Sequence, residues 1–174
     1  MRLALTAAFC LTLCALPALA QKSKPPMSDQ QFLDTAAQTD MVEVHLGTLA
    51  QDAGSSQGVK DYGQMLARDH MKDYQALQAL AQQAGLTLPT AIDDEHNKAM
   101  IGPMHTLKGA AFDHKYLQNM IAGHAQAIVL YKQEAHDATN PAIRSYAEHT
   151  LPTLKKHLDD AMSLERGKPS PMSM

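Results

Sequence analysis

The sequence predicts an all-α fold, a bundle of four long helices with a short helical connector between the second and the third. The chain of 174 residues has no Trp and only three Phe, and it is rich in Ala, Leu, Gln and Met, a composition that favours helices over strands. Apolar residues recur at alternating steps of three and four in four long stretches. Capping residues and turns separate these stretches, as expected for a helical bundle.

Two helices joined by a tight turn are predicted in the first half of the chain. Ser28 or Asp29 can cap the first helix, which we expect to end at about residue 53. The glycine- and serine-rich segment 54–58 forms the turn. The second helix, at about 57–84, ends at a glycine, the residue that most easily adopts the left-handed conformation closing a helix.

A connector and two further helices follow. Residues 86–91 contain a proline and are expected to be irregular, and the short helix at about 93–107 is weakened by Gly102-Pro103. The third long helix is predicted at about 110–137. Asn140-Pro141 supplies a cap and a first-turn proline for the fourth helix, which reaches about residue 165.

The first 20 residues have the layout of a secretory signal peptide. One Arg precedes an apolar stretch, which ends in Ala18-Leu19-Ala20 with small residues where cleavage requires them. Cleavage there removes Cys10 and Cys14, so the mature chain has neither disulfides nor thiolate ligands. We therefore expect a periplasmic or secreted protein. Its expected parts are a signal peptide (1–20), a linker (21–28), a four-helix bundle domain (29–166) and a flexible tail (167–174).

The charge and hydropathy of the chain argue against two kinds of partner. The formal net charge is −3 for the whole sequence, and removing Arg2 with the signal peptide makes the mature chain more acidic by one unit. A mildly acidic chain with no basic patch is not expected to bind nucleic acid. No segment after residue 20 is apolar enough to cross a membrane, so we expect no transmembrane segment in the mature chain.

Each long helix carries one residue of a metal-liganding type near its midpoint, on the face predicted to be buried. These residues are Glu43, His70, His124 and His157. Burying a carboxylate and three imidazoles in one core costs on the order of several kcal/mol unless the groups are paired, hydrogen-bonded or bound to a metal. The four residues are therefore the candidate site.

The spacing of these residues predicts that they lie at one height of the bundle. Residues equidistant from the turn of an antiparallel hairpin face each other. The midpoint between Glu43 and His70 falls in the turn at 54–58, and the midpoint between His124 and His157 falls beside the turn before the fourth helix. Both pairs are therefore expected at mid-height, within about two helical turns of each other.

Two functions fit this arrangement. One is a binding protein that holds a single divalent transition metal, zinc, copper or iron, through the four side chains, for storage, buffering or stress protection. The other is a metal-free structural or interaction module of the cell envelope, in which the buried polar groups form a hydrogen-bonded network that fixes helix register. The sequence identifies neither a protein partner nor an oligomeric state.

Other polar residues have weaker signals. Asp73, one turn after His70, is a candidate fifth ligand or a hydrogen-bond acceptor for an imidazole. Asp69 is expected at the edge, facing a neighbouring helix. The helix dipole accounts for an acidic residue at Asp113, near the start of the third helix, without a functional role. Contact with solvent or a salt bridge accounts for Glu134 in the same way. The remaining histidines are expected at the solvated surface: His45, His96, His105, His114, His136 and His149.

Six segments together carry a family resemblance. They are FLDTAAQTDMVEVHLGTLA at 32–50, MLARDH at 65–70, GLTLP at 85–89, AFDHKYL at 111–117, GHAQAIVLYKQEA at 123–135 and TLPTLKKHL at 150–158. In these segments the chain resembles a family of exported bacterial proteins, the domain-of-unknown-function 4142 family. The resemblance implies export and a ferritin-like helical bundle, and it supplies no reaction. The family pattern matches at Glu43, Asp69, His70, Asp113, His124 and His157, and it usually has an acidic residue where this chain has Gly123.

No catalytic signature accompanies the resemblance. Ferritin-like di-iron proteins carry Glu-x-x-His pairs on two helices, but in this chain Leu46 follows Glu43 and Asp137 follows Glu134 at that spacing. There is no glycine-rich phosphate loop, nucleophile elbow or Cys/His dyad. The sequence thus favours a binding or structural protein over an enzyme.

Overall fold

The computed structural model describes residues 27–167, and within this range it contains helices and no strands. The four long helices are α1 (Asp29–Ala53), α2 (Gln57–Ala84), α5 (Gly109–Asp137) and α6 (Pro141–Glu165). Between α2 and α5 lie two short helices, α3 (Asp94–His96) and α4 (Gly102–His105), joined by a π-helical turn at Asn97–Ile101. The all-α prediction is confirmed, although the connector is three short pieces rather than one helix.

Three predicted segments cannot be compared, wholly or in large part, with this structure. The predicted signal peptide lies outside the described residues, as do most of the predicted linker and most of the predicted tail. Within residues 27–167, no helix combines the length and the apolarity that crossing a bilayer requires.

Local side-chain hydrogen bonds set the helix ends. Ser28 Oγ accepts a hydrogen bond from the Gln31 amide, and Gln31 Oε1 accepts one from the Ser28 amide, which together form a capping box at the start of α1. Ser56 and Asn140 cap α2 and α6 with their side-chain oxygens. Gly85 closes α2 at φ 69°, a left-handed conformation that costs glycine little.

Two aspartates tie each hairpin turn to a helix of the other hairpin. Asp113 of α5 accepts hydrogen bonds from the Ser55 amide (2.9 Å), the Ser55 hydroxyl (2.7 Å) and the Ser56 amide (2.8 Å) in the α1–α2 turn. Asp29 of α1 accepts from the amides of Thr139 (2.9 Å) and Asn140 (2.8 Å) before α6. Asp113 therefore holds a turn of the other hairpin, a role that the dipole of its own helix does not explain.

The α1–α2 hairpin depends on a close backbone approach. A Cβ atom built on Gly47 would clash with the carbonyl oxygen of Gly63, and one built on Gly63 would lie 2.7 Å from the Cβ atom of Ala50. Both positions therefore require glycine at this helix separation.

A layer of buried polar side chains divides the apolar core into two clusters. One cluster packs toward the α1–α2 turn and includes Leu46, Tyr62, Leu66, Phe112, Tyr116 and Met120. The other packs toward the α5–α6 turn and includes Phe32, Leu33, Leu77, Tyr131, Ile143 and Leu154. The polar layer lies between them in the sequence of every long helix, and it contains Asp40, Glu43, His70, His124 and His157.

Candidate functional site

Three imidazoles meet at the centre of the polar layer. The ring centroids of His70 and His124 are 5.8 Å apart, those of His70 and His157 are 5.4 Å apart, and those of His124 and His157 are 5.3 Å apart. Each ring offers one nitrogen such that the three nitrogens lie within 4.8 Å of one another. All three side chains are buried, with at most 4% of the residue exposed. The structure thus brings one residue each from α2, α5 and α6 into contact.

Each imidazole directs one nitrogen away from this centre, toward an oxygen atom. These contacts are His70 Nδ1 to Asp40 Oδ1 (2.8 Å), His124 Nδ1 to the carbonyl oxygen of Met120 (2.9 Å) and His157 Nε2 to Asp69 Oδ2 (3.2 Å). Because each of these partners is an acceptor, the outward nitrogen of each ring is the one that carries hydrogen. In a neutral ring, the inward nitrogen then has no hydrogen and presents a lone pair to the centre. Histidines that bind a metal in proteins have this arrangement: one ring nitrogen binds the ion, and the N–H of the other donates to an oxygen acceptor.

The arrangement is not satisfied by hydrogen bonds alone. His124 Nε2 and His157 Nδ1 are 3.3 Å apart, and with both outward nitrogens protonated neither inward nitrogen of these two neutral rings can donate. If the proton of His124 or of His157 moves to the inward nitrogen of its ring, this hydrogen bond can form. The outward nitrogen of that ring then presents a lone pair to the Met120 carbonyl oxygen or to the Asp69 carboxylate, and the outer hydrogen bond is lost. A cation that accepts the inward lone pairs leaves every outward hydrogen bond intact.

The electrostatic environment makes two of the rings neutral and one charged. Burial lowers the pKa of His157 to about 3, helped by the positive charge of its neighbours. Burial also lowers the pKa of His124, outweighing the opposite effect of Glu43. Burial acts in the same direction on His70, but the hydrogen bond with Asp40 and the charge of Glu43 prevail and raise its pKa to about 9. At neutral pH the three rings therefore share one extra proton, and His70 holds it.

Glu43, the fourth residue predicted for the site, lies near His124 but is not part of the cluster of ligand atoms that the three imidazoles form. Its residue is 5% exposed, and its Oε1 atom is 3.9 Å from His124 Nδ1, beyond hydrogen-bond distance. Among the described residues its Oε2 atom has no hydrogen-bond partner, and the same holds for Asp40 Oδ2 and His70 Nε2. A buried polar atom without a partner costs about 1–3 kcal/mol, so this layer contains unused ligand atoms.

Two cavities of about 330 Å³ each reach the polar layer from different sides. One lies between α2 and α6, and its lining includes His70, His157 and the carboxylates of Asp69 and Asp73 together with exposed Thr153. The other is lined by Asp40, Glu43 and His70, next to the backbone of Gly123 and side chains of the connector. A Cβ atom on Gly123 would lie 3.9 Å from Glu43 Oε1, so glycine leaves the space beside this carboxylate open. The carboxylates in both linings attract a cation, although Lys72 also lines the first cavity.

The structure alters the roles of several residues outside the candidate set. Asp40, which the sequence analysis did not select, is 2% exposed and pairs with His70. The signal for it was its position one turn before Glu43, which places both carboxylates on one face of α1. Asp69 faces α6 as expected, where it contacts His157. Asp73 accepts a hydrogen bond from the Tyr146 hydroxyl (2.7 Å) rather than orienting an imidazole.

Two further expectations about exposure need correction. Glu134 was expected to meet solvent or a salt bridge, but it is 1% exposed, and its Oε1 atom has no partner among the described residues. His45 was expected to be solvated, but it is half-buried and its Nε2 atom lies 3.1 Å from that of His105. Neither feature has a sequence signal, because both depend on how the connector and the helix ends pack.

Solved structures of similar fold include copper-bound proteins. The fold resembles CopM in the Cu(II)-bound form with a TM-score of 0.68, at 13% identity over 82% of this chain and 98% of CopM. CopM in the Cu(I)-bound form matches with a TM-score of 0.64, at 13% identity over 81% of this chain and 97% of that chain. A DUF305 fragment from Deinococcus radiodurans matches with a TM-score of 0.68, at 16% identity over 82% of this chain and 99% of the fragment. Identities this low establish a shared fold and nothing about ligands.

Sequence comparison gives the family. No curated protein matches this sequence. A family model described as "Domain of unknown function (DUF4142)" matches residues 14–164, which covers the four long helices except the last residue of α6 and includes the three clustered histidines. This match confirms the resemblance seen in the six sequence segments, and the chain belongs to the DUF4142 family.

Proposed function

We propose that this protein binds one divalent transition-metal ion in the bundle core through His70, His124 and His157, with Glu43 as the fourth ligand. Its role is to store or buffer the metal outside the cytoplasm. One observation carries the proposal: each buried imidazole contacts an oxygen acceptor on its outer side and presents its other nitrogen toward the centre. Three histidines and a carboxylate, with no thiolate, suit zinc, copper or iron(II).

The distances among the three imidazoles are compatible with such an ion, and Glu43 would have to turn toward the centre to join them. Imidazole nitrogens bind zinc at about 2.0–2.1 Å, so two of them at a tetrahedral angle are about 3.3 Å apart. His124 Nε2 and His157 Nδ1 already have this separation, at 3.3 Å. The nitrogen of His70 is within 4.8 Å of both, and a small side-chain movement closes the set. Copper is the first metal to test, because CopM, which shares this fold, is described in copper-bound forms.

Export of the protein is part of this proposal. It rests on the charged start, the apolar stretch and the small residues before position 21. Mass spectrometry of the protein recovered from its native host tests it. We expect a chain that begins at Gln21, and a chain that retains Met1 would contradict export by cleavage.

The metal-free module remains the competing function, and one observation favours it. His70 with Asp40 and His157 with Asp69 link α2 to α1 and to α6 without any ion. Such contacts can fix helix register by themselves. The two functions differ in what metal does to the protein, so a binding experiment separates them.

Isothermal titration of the untagged mature chain with zinc, copper(II) and iron(II) is the decisive experiment. We expect tight binding of one ion in the core, and we expect His124→Ala and His157→Ala each to weaken it at least about a hundredfold by removing a ligand. His149→Ala is the matched control, because His149 is exposed on the same helix as His157. Circular dichroism establishes that each variant is folded. Unchanged binding in both folded core variants would rule out the proposed site and leave the metal-free module.

A further inference from the structure

The geometry points to a second metal site on the surface of the bundle, in which His45, His105 and the sulfur of Met41 bind copper(I). This site uses none of the residues of the proposed core site. Glu43 and His45 are two residues apart on α1, which places their side chains about 200° apart around the helix axis. One points into the core, and the other points outward to the connector.

Two imidazoles from separate parts of the chain already face each other at this position. His45 belongs to α1, and His105 is the last residue of α4. Their Nε2 atoms are 3.1 Å apart, with ring centroids 5.2 Å apart and planes inclined at 74°. Two nitrogens that share one ion at about 2.0–2.1 Å and a near-tetrahedral angle are separated by about 3.3 Å. With three donors around copper(I) the angle approaches about 120° and the separation about 3.5 Å, so an ion bound by both rings requires the two nitrogens to move apart by roughly 0.4 Å.

A cavity beside the histidine pair supplies the soft ligand. It has a volume of about 650 Å³ and lies between α1, α2 and the connector, and its lining includes both histidines, Met41 and Met71. Met41 lies one turn before His45 on α1 and lines the same cavity. Helical side chains lean toward the N-terminus, which favours an approach of the His45 ring to the Met41 side chain. Two imidazoles with a thioether form a donor set that selects copper(I) over harder ions.

The rest of the cavity favours an ion of low charge. Val44, Leu49 and Ile92 also line it, and an apolar lining makes it costly to desolvate a doubly charged ion. Asp52 is the one carboxylate in the lining. Copper(I), with a single charge and an affinity for thioethers, suits these surroundings better than zinc does.

The site is tested by anaerobic titration of the mature chain with copper(I) against a chromophoric copper(I) chelator. In a parent that carries His124→Ala and His157→Ala, the core site is disabled, and we expect one copper(I) per chain to remain. Adding His105→Ala should remove it, and Met41→Leu should weaken it at least about tenfold, because leucine keeps the volume but has no sulfur donor. Met71→Leu is the matched control in the same cavity, and we expect no change.

A structural role for the histidine pair gives a different result. If the two rings only fasten the connector to α1, His105→Ala lowers the melting temperature of the metal-free protein and leaves the copper(I) count unchanged, which would overturn the proposal. Loss of binding in Met71→Leu but not in Met41→Leu would overturn the assignment of the sulfur ligand. Because the core residues are absent from this parent, failure here leaves the proposed core site untouched, and failure of the core site leaves this one measurable.

Discussion

At the scale of single residues, the proton on His70 determines how the core site responds to pH. A metal must displace this proton from Nε2, because Nδ1 donates to Asp40. With the pKa of His70 raised to about 9, we expect the metal affinity to fall about tenfold for each pH unit below that value. Calorimetry at about pH 7.5 in two buffers of different ionisation enthalpy should detect the release of about one proton per metal.

A variant of Asp40, the hydrogen-bond partner of His70, provides the control for this experiment. Asp40→Asn keeps an oxygen acceptor for Nδ1 but removes the charge that raises the pKa of His70. The variant should therefore release a much smaller fraction of a proton on binding metal at the same pH. Equal proton release by the variant and the wild type would show that His70 is not the group that the metal deprotonates.

Glu134 is a second residue whose ionisation affects the protein, through stability rather than binding. Burial raises the pKa of Glu134 to about 7, well above the ordinary value for a glutamate, and the negative charges of Asp29 and Asp137 add to the effect. When folding raises the pKa of a carboxyl group, the bound proton stabilises the folded state. This contribution to the free energy of unfolding is complete below the pKa of the group in the unfolded state, and it is lost as the pH rises through the pKa of the group in the folded state. The wild type thus carries a destabilising buried charge above about pH 7.

Glu134→Gln should remove that charge. We expect it to stabilise the protein by about 1 kcal/mol at about pH 8, and to have little effect at about pH 5, where the carboxyl group of the wild type is protonated and uncharged. Urea denaturation at both pH values measures the difference. The control is Glu148→Gln, at an exposed position on α6. Equal effects of Glu134→Gln at the two pH values would show that its ionisation does not matter.

At the scale of helices, the sequence predicted the ends of α1, α2, α5 and α6 to within two residues. These ends depend on local signals: Ser28, Ser56, Asn140 and the glycine after α2 act within a few residues of themselves. The connector has one such signal, the Asp93 side chain that caps α3, but no local signal predicts its division into three pieces. Its π-helical turn at Asn97–Ile101 precedes Gly102-Pro103, and it lets Ile101 and Met104 pack against the core, a constraint that only tertiary contacts impose.

The spacing of α1 and α2 depends on Gly47, and this spacing sets how far His70 lies from Asp40. Gly47→Ala should destabilise the protein by about 1–3 kcal/mol, because the new methyl group meets backbone that cannot move without separating the helices. It should also weaken core metal binding. Thermal denaturation and metal titration measure the two effects. Gly102→Ala is the control, since its Cβ atom would come no closer than 3.4 Å to another atom, and a fully stable Gly47→Ala variant would refute the close-packing argument.

At the scale of the whole molecule, hairpin arithmetic predicted that Glu43, His70, His124 and His157 share one height. The structure brings the three imidazoles together, whereas Glu43 is not part of their cluster. That prediction needed only the positions of two turns. The outer partners could not be predicted in the same way, because they depend on the rotation of each helix about its axis. Asp40 and Glu43 are both buried on α1, whereas the periodic pattern of apolar residues placed only Glu43 on the face predicted to be buried.

A metal in the core would join the two hairpins, because His70 belongs to α1–α2 and His124 and His157 belong to α5–α6. An ion that binds only the folded state stabilises it by about 2.7 kcal/mol when its free concentration is a hundred times the Kd. For a domain of this size, that corresponds to a rise in melting temperature of about 5–10 °C. We expect this rise in the wild type and in His149→Ala, and its absence in His124→Ala.

Hydrogen exchange should slow most where the hairpins meet, at the amides beside His70 and His124. A melting temperature that metal leaves unchanged, in a protein that nevertheless binds metal by titration, would show that the unfolded chain binds the ion as tightly as the folded one, and would rule out a site assembled by the fold.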